Sequence, residues 1–213
     1  MIAALRYTLV GDGTSDRALM PLLRLLLVGS GTPLPLSETW ADPQWLPASA
    51  RGLTARLQRA LDLYPYDLLF VHRDAEGQDP QMRYEEVTGA LAGLAAPPPT
   101  LCVVPVRMME AWLLTDEAAI RRAADNPHGS AVLSLPAPRA IENIGDPKQT
   151  LFNLLRTASQ KSGRRLEQFK RDEAMRRFRV AELTEDISPL QTLPAFQRLQ
   201  SEMQQLMQSQ GWA

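Results

Sequence analysis

Two short apolar runs of this chain each end in carboxylates. Leu5 to Val10 leads into Gly11-Asp12-Gly13-Thr14-Ser15-Asp16, and Asp67 to Val71 leads into His72-Arg73-Asp74-Ala75-Glu76-Gly77. A short apolar run stopped by Gly or Asp reads as a buried strand of a parallel sheet, and α/β proteins bind ligands at the carboxyl ends of such strands. Asp12, Asp16, Asp74 and Glu76 are therefore expected along one edge. Like charges about 4 Å apart repel by roughly 4 kcal/mol at an effective dielectric of about 20, so such a cluster calls for a cation among the carboxylates or for protonation of some of them. Hard divalent ions, Mg²⁺ or Mn²⁺, suit an all-oxygen ligand set.

Each residue has a plainer alternative. Asp12 and Asp16 bracket Gly13 in a strand-to-helix turn, where the backbone N–H groups of Gly13 and Thr14 could hold a phosphate and where the acids could instead cap the helix. Asp74 and Glu76, two apart, reach one ion if the backbone is extended there; otherwise they are a solvated turn. Glu110 lies among Met108, Met109, Ala111 and Trp112, so it is either functional or paired, with Arg107 three residues back as the obvious partner. His72 in its apolar strand reads as a satisfied core histidine rather than a proton carrier, and the four tryptophans read as core.

The elements that must position these residues alternate. Leu5 to Val10 reads as a strand, Thr14 to Val28 as a capped helix, Leu34 to Trp40 as a Pro-interrupted edge strand and Ala50 to Leu63 as an amphipathic helix. Asp67 to Val71 is the next strand, Pro80 to Leu94 the next helix, and Leu101 to Val106 a strand after the triple proline. This order means α/β. The carboxyl third then reads as helical: Arg107 to Thr115, Pro147 to Gln160, Arg164 to Arg179 and Pro189 to Gln208, with Pro147 and Pro189 in first-turn positions. The organisation expected is an α/β core over residues 1–125 and a helical extension over 126–213.

Composition narrows the chemistry. The 213 residues, 45% hydrophobic, can bury a full core. Two histidines and one cysteine, Cys102, exclude a recognisable zinc site and an intrachain disulfide. No G-x-S-x-G supports a serine triad, and no G-x-x-x-x-G-K-[ST] supports a nucleotide-binding loop. Asp12-Gly13-Thr14 echoes the phosphatase motif DxDGT, but its nucleophilic first Asp falls on Val10. No apolar stretch approaches the roughly 20 residues of a membrane span, and a cytoplasmic location is expected. From Lys148 to Arg179 there are ten Lys or Arg against three acids, +7, which leaves −8 for the rest of a chain of net −1. An acidic edge with a basic flank suits a phosphodiester substrate, with Lys161, Arg164, Arg165, Lys170, Arg171, Arg176 and Arg177 as candidate phosphate contacts; the alternative is a set of solvated helix faces.

The order VGDGTSDRAL, FVHRDAEG, VPVRMMEAWLL and GDPKQTL, over residues 5 to 155, resembles the Toprim-like proteins of the DUF4276 group, relatives of the nuclease half of OLD-type proteins. The resemblance implies a Toprim-like, Rossmann-like sheet and Mg²⁺- or Mn²⁺-dependent cleavage of nucleic acid, DNA above all, with defence against mobile DNA as the setting. By resemblance Asp12 stands at the family's catalytic Glu, Asp74 and Glu76 at its metal-holding DxD, Glu110 at an acidic residue before tryptophan, and Lys148 at the Lys of a Pro-Lys signature. Asp12 is one methylene shorter than that Glu and Glu76 one longer than the second Asp; every charge is retained. Asp12, Glu110 and Lys148 are thus the candidate catalytic residues, and Asp12, Asp74 and Glu76 the candidate metal ligands. The alternative from another class is a non-catalytic Toprim-like subunit that regulates a separately encoded OLD-like ATPase.

Overall fold

The computed structural model describes residues 2–48 and 51–213. Four strands, β1 (Leu5–Val10), β2 (Leu36–Trp40), β3 (Leu68–His72) and β4 (Thr100–Val103), form an all-parallel sheet in the order β2-β1-β3-β4. β3 is buried along its whole length and β1 everywhere but Arg6, as the apolar runs require of strands covered on both faces. Leu9 lies opposite Trp40 on one side and Phe70 on the other, so the carboxyl ends of three strands line up.

Helices cover both faces. α2 (Leu53–Leu63) and α3 (Pro80–Ala92) pack on the side carrying Val10, Leu69 and Val71. The opposite side, carrying Tyr7, Leu9, Phe70 and Val103, is covered by α1 (Met20–Gly29) together with the carboxyl-terminal helices α4 (Glu117–Ala123), α5 (Pro147–Ser159), α6 (Gly163–Arg171), α7 (Glu173–Leu183) and α8 (Pro194–Gln210). Residues from 126 to 213 thus share one hydrophobic cluster with the sheet. Trp112, 1% exposed, meets Phe196 of α8 edge to face at 5.3 Å, and Tyr7 meets Phe70 the same way at 5.8 Å.

Several elements depart from the sequence reading for local reasons. The helix expected over 14–28 begins as a 3-10 turn, Thr14–Leu19, because Pro21 lacks the N–H that an uninterrupted α-helix would donate to Arg17. Pro194 divides the last helix in the same way, and Pro189 falls in the 3-10 turn Ser188–Thr192. The Arg107 to Thr115 helix is a 3-10 turn, Met109–Leu113, and the Arg164 to Arg179 helix breaks at Asp172 into α6 and α7. Pro147 does open α5, where the Asp146 side chain accepts from the Gln149 amide at 2.8 Å. Ala50, the expected start of α2, lies outside the described residues. Among the described residues no helix is long and apolar enough to cross a membrane.

Candidate functional site

Beyond the regular ladder, β3 and β4 run on together: the Arg73 amide bonds the Val103 carbonyl at 3.1 Å, that of Ala75 bonds Pro105 at 3.0 Å, and that of Glu76 bonds Arg107 at 3.0 Å. These bonds hold Asp74 at the sheet's carboxyl edge, beside the turn after β1. There Asp16 folds back on the chain. Its carboxylate accepts from the amides of Asp12 at 2.8 Å and Gly13 at 3.1 Å and from the Ser15 hydroxyl at 3.0 Å, and the residue is 5% exposed. Gly11 permits this, since a Cβ there would lie 2.5 Å from Asp16 Oδ2. Asp16 therefore caps the turn. Because its carboxylate uses the Gly13 amide, that group is not free for phosphate; Thr14 is exposed at the start of the turn.

His72 joins the two acids. Its Nδ1 lies 2.9 Å from the Val103 carbonyl, which can only accept, so Nδ1 carries a hydrogen. Its Nε2 faces Asp74 Oδ1 at 3.3 Å and Asp16 Oδ2 at 4.0 Å, and the side chain is 1% exposed. Burial lowers the imidazole's pKa, but the hydrogen bond to Asp74, the charges of Asp16 and Asp74 and the Val103 carbonyl outweigh it, so the net shift is upward. His72 is thus a buried imidazole between two carboxylates that favour its charged form. Because the folded-state pKa lies above the ordinary 6.5, the stability this cluster contributes is fully present below about pH 6.5 and is lost as pH rises through the raised folded value. Imidazole ¹⁵N spectra are expected to show His72 losing its charge at a higher pH than free histidine; a midpoint at or below the ordinary 6.5 would refute the assignment.

The other predicted carboxylates have arginine partners. Asp12 pairs with Arg73, which also meets Glu86 of α3 at 2.7 Å; Arg83 meets the same Glu86 at 3.1 Å and Glu76 at 3.6 Å. Glu76 is not extended. It adopts a left-handed backbone, φ 54°, followed by Gly77 at φ 79°, and its side chain is 68% exposed toward Arg83 rather than converging with Asp74. Five carboxylates, Asp12, Asp16, Asp74, Glu76 and Glu86, thus face His72, Arg73 and Arg83, so side-chain cations neutralise most of the repulsion expected from the sequence. Among the described residues no group of three or more His, Cys, Asp or Glu is arranged to hold a metal ion. Asp74 Oδ1 is buried against His72 Nε2 at 3.3 Å, yet the Asp74 side chain as a whole is 26% exposed, so part of the carboxylate stays open to a hard cation. An ion that binds through one or two carboxylates and keeps its waters would use Asp74, and Asp12 only once Arg73 releases it; Glu76, turned toward Arg83, is not part of such a set.

Glu110 belongs elsewhere. It is 2% exposed and meets Arg177 of α7 at 2.6 Å, not Arg107, so it ties the turn after β4 to the carboxyl-terminal helices. Arg177 is thereby removed from any phosphate-binding role, and Arg176 is largely internal, stacked at 4.0 Å over Phe169 and paired with Asp125 at 2.7 Å. Lys161 lies 4.9 Å over the same Phe169 ring, and Lys170 meets Glu167 at 2.8 Å. Arg164, Arg165 and Arg171 are exposed on α6 and, like exposed Lys148 at the start of α5, form no ion pair among the described residues.

Arg73, Arg83 and Glu86 did not emerge from the sequence reading. Arg73 lies inside the FVHRDAEG motif, and Arg83 and Glu86 have the i,i+3 spacing of a helix pair, but nothing in the chain indicates that α3 returns to this edge. Buried Arg56 was missed too: it donates to the carbonyls of Gly11 at 2.7 Å and Pro47 at 3.0 Å and supports the turn from behind. No protein-family model matches the chain, and no curated protein or solved structure is significantly similar to it.

Proposed function

We propose that this chain is a Toprim-like, Mg²⁺- or Mn²⁺-dependent phosphodiesterase acting on nucleic acid, DNA above all. The supporting observation is Asp74: it follows a central parallel strand next to the turn bearing Asp12, its Oδ1 faces His72 Nε2 at 3.3 Å, and its side chain is still 26% exposed at the sheet's carboxyl edge. Asp74 and Asp12 would hold the ion. Bound there, a divalent cation would polarise the phosphate and lower the pKa of an attacking water. The Val103 carbonyl fixes the His72 ring at 2.9 Å, and His72 in turn orients the Asp74 carboxylate, as outer partners of metal ligands do. Arg73, once released from Asp12, is placed to pair with a phosphate oxygen. Incubating purified protein with supercoiled plasmid, with and without Mg²⁺ or Mn²⁺, tests the reading: metal-dependent nicking is expected.

The Arg73–Asp12 and Arg83–Glu86 pairs favour a second reading, a non-catalytic subunit regulating an OLD-like ATPase, because they leave the edge largely neutralised. No nicking with either metal, alone or with such a partner, would select it. The exposed cations of α6 are the candidate DNA-tracking surface. Replacing Arg164, Arg165 and Arg171 by Ala is expected to flatten the slope of log affinity against log salt by about two to three units for every DNA sequence, at about 0.9 per phosphate contact. An unchanged slope would make α6 a solvated face.

A further inference from the structure

A groove of about 410 Å³ opens between the edge strand β2, α1 and α7, lined by Arg17, Arg24, Glu38, Trp40, Phe178 and Glu182. It begins at the active edge: Arg17 follows Asp16 directly, and Trp40 ends β2 in register with Leu9. Its volume is in the range that takes a nucleotide-sized ligand.

The groove's charges are unevenly used. Glu38 already accepts from the Tyr7 hydroxyl at 2.8 Å and lies 3.7 Å from Arg24. Burial first, then the bond to Glu38, raises the Tyr7 pKa, so the phenol keeps its proton and remains the donor. Arg17 stacks 5.1 Å over the Phe178 ring and has no carboxylate partner among the described residues; Glu182 likewise has no cation. An unpaired guanidinium and an unpaired carboxylate line one hollow without joining each other, and two partly buried aromatic side chains lie with them. A ligand able to use all of these has a flat face, a hydrogen-bond-donating edge and a negative charge.

Building on the phosphodiesterase reading, we propose that this groove is a nucleobase subsite of the same edge. The base packs against Trp40, its amino edge donates to Glu182, and the adjoining phosphate pairs with Arg17, which rests on Phe178. Guanine is favoured, because N1–H and N2–H donate side by side to one carboxylate, whereas thymine offers a single N–H flanked by carbonyls that a carboxylate repels.

Calorimetric titration with deoxyguanosine 5′-monophosphate, thymidine 5′-monophosphate and 2-deoxyribose 5-phosphate tests this. The wild type is expected to bind them in that order of affinity. Trp40→Leu should weaken the guanine nucleotide by roughly 5- to 100-fold while leaving the base-free sugar phosphate unchanged, as loss of a stacking face does. Glu182→Gln should erase the preference for guanine over thymine, and Arg17→Ala should weaken all three ligands by a similar factor. Arg17 and Glu182 are exposed, so their variants decide the matter even if Trp40→Leu fails to fold. Equal affinity for nucleotide and sugar phosphate, no binding to the wild type, or wild-type binding by Arg17→Ala and Glu182→Gln overturns the subsite. If plasmid is nicked under those results, the phosphodiesterase reading stands without the subsite; if the binding pattern appears without nicking, the groove stands and the phosphodiesterase reading falls.

Discussion

Arg177→Met is expected to destabilise the protein by about 3–5 kcal/mol, because it leaves the Glu110 carboxylate buried without a counter-ion. The two side chains are 10% and 3% exposed, so solvent does little to screen either charge. In a protein of this size the loss corresponds to a fall in Tm of roughly 6–20 °C. The double variant Glu110→Met/Arg177→Met should recover most of it, since replacing both members of a buried pair by apolar groups of similar volume is neutral or even stabilising. Thermal unfolding of the single and double variants checks this directly. A single variant within about 1 kcal/mol of wild type would mean that the pair does not fasten these elements. The outcome bears on function, because the resemblance places Glu110 among the catalytic residues while the folded chain uses it to fasten α7 to the turn after β4.

Asp74→Asn is expected to remove metal-dependent cleavage, by more than the roughly 10- to 100-fold that losing an outer partner of a metal ligand costs. His72→Gln, which removes such an outer partner, should fall within that range. The ordering is the informative part: if His72 acted as the proton-transfer group and Asp74 only positioned it, His72→Gln would be the more damaging. Stability gives a second readout. Asp74 faces the His72 ring, whose pKa it raises, rather than bare carboxylates, so removing its charge should lower apo stability instead of relieving repulsion, while abolishing any thermal shift on adding Mg²⁺ or Mn²⁺. Cleavage that survives in Asp74→Asn would remove this residue from the site.

The fold class was legible in the sequence because short apolar runs separated by helical periodicity have few ways to bury their backbone and apolar groups together. Leu5 to Val10 and Leu68 to His72 became neighbouring strands for that reason, and their carboxyl ends carried Asp12 and Asp74 to one edge. Gly11 and Asp16 were likewise local, a turn and its cap closing within a few residues. What the tertiary structure alone decided was which charges meet. Glu110 and Arg177 are 67 residues apart, Asp12 and Arg73 61 apart, and no short-range pattern distinguishes Arg177 inside the protein from Arg171 on its surface. Net charge over 148–179 indicated a basic flank, but the break at Asp172 let α7 carry Arg176 onto Phe169 and Arg177 onto Glu110, while Arg164, Arg165 and Arg171 of α6 stayed in solvent. Glu76 shows the same limit in miniature, since a left-handed backbone before Gly77 sends it to Arg83 instead of to Asp74. Burial patterns repeat along the chain and can be read there; ion pairing depends on distances that exist only once the helices have packed.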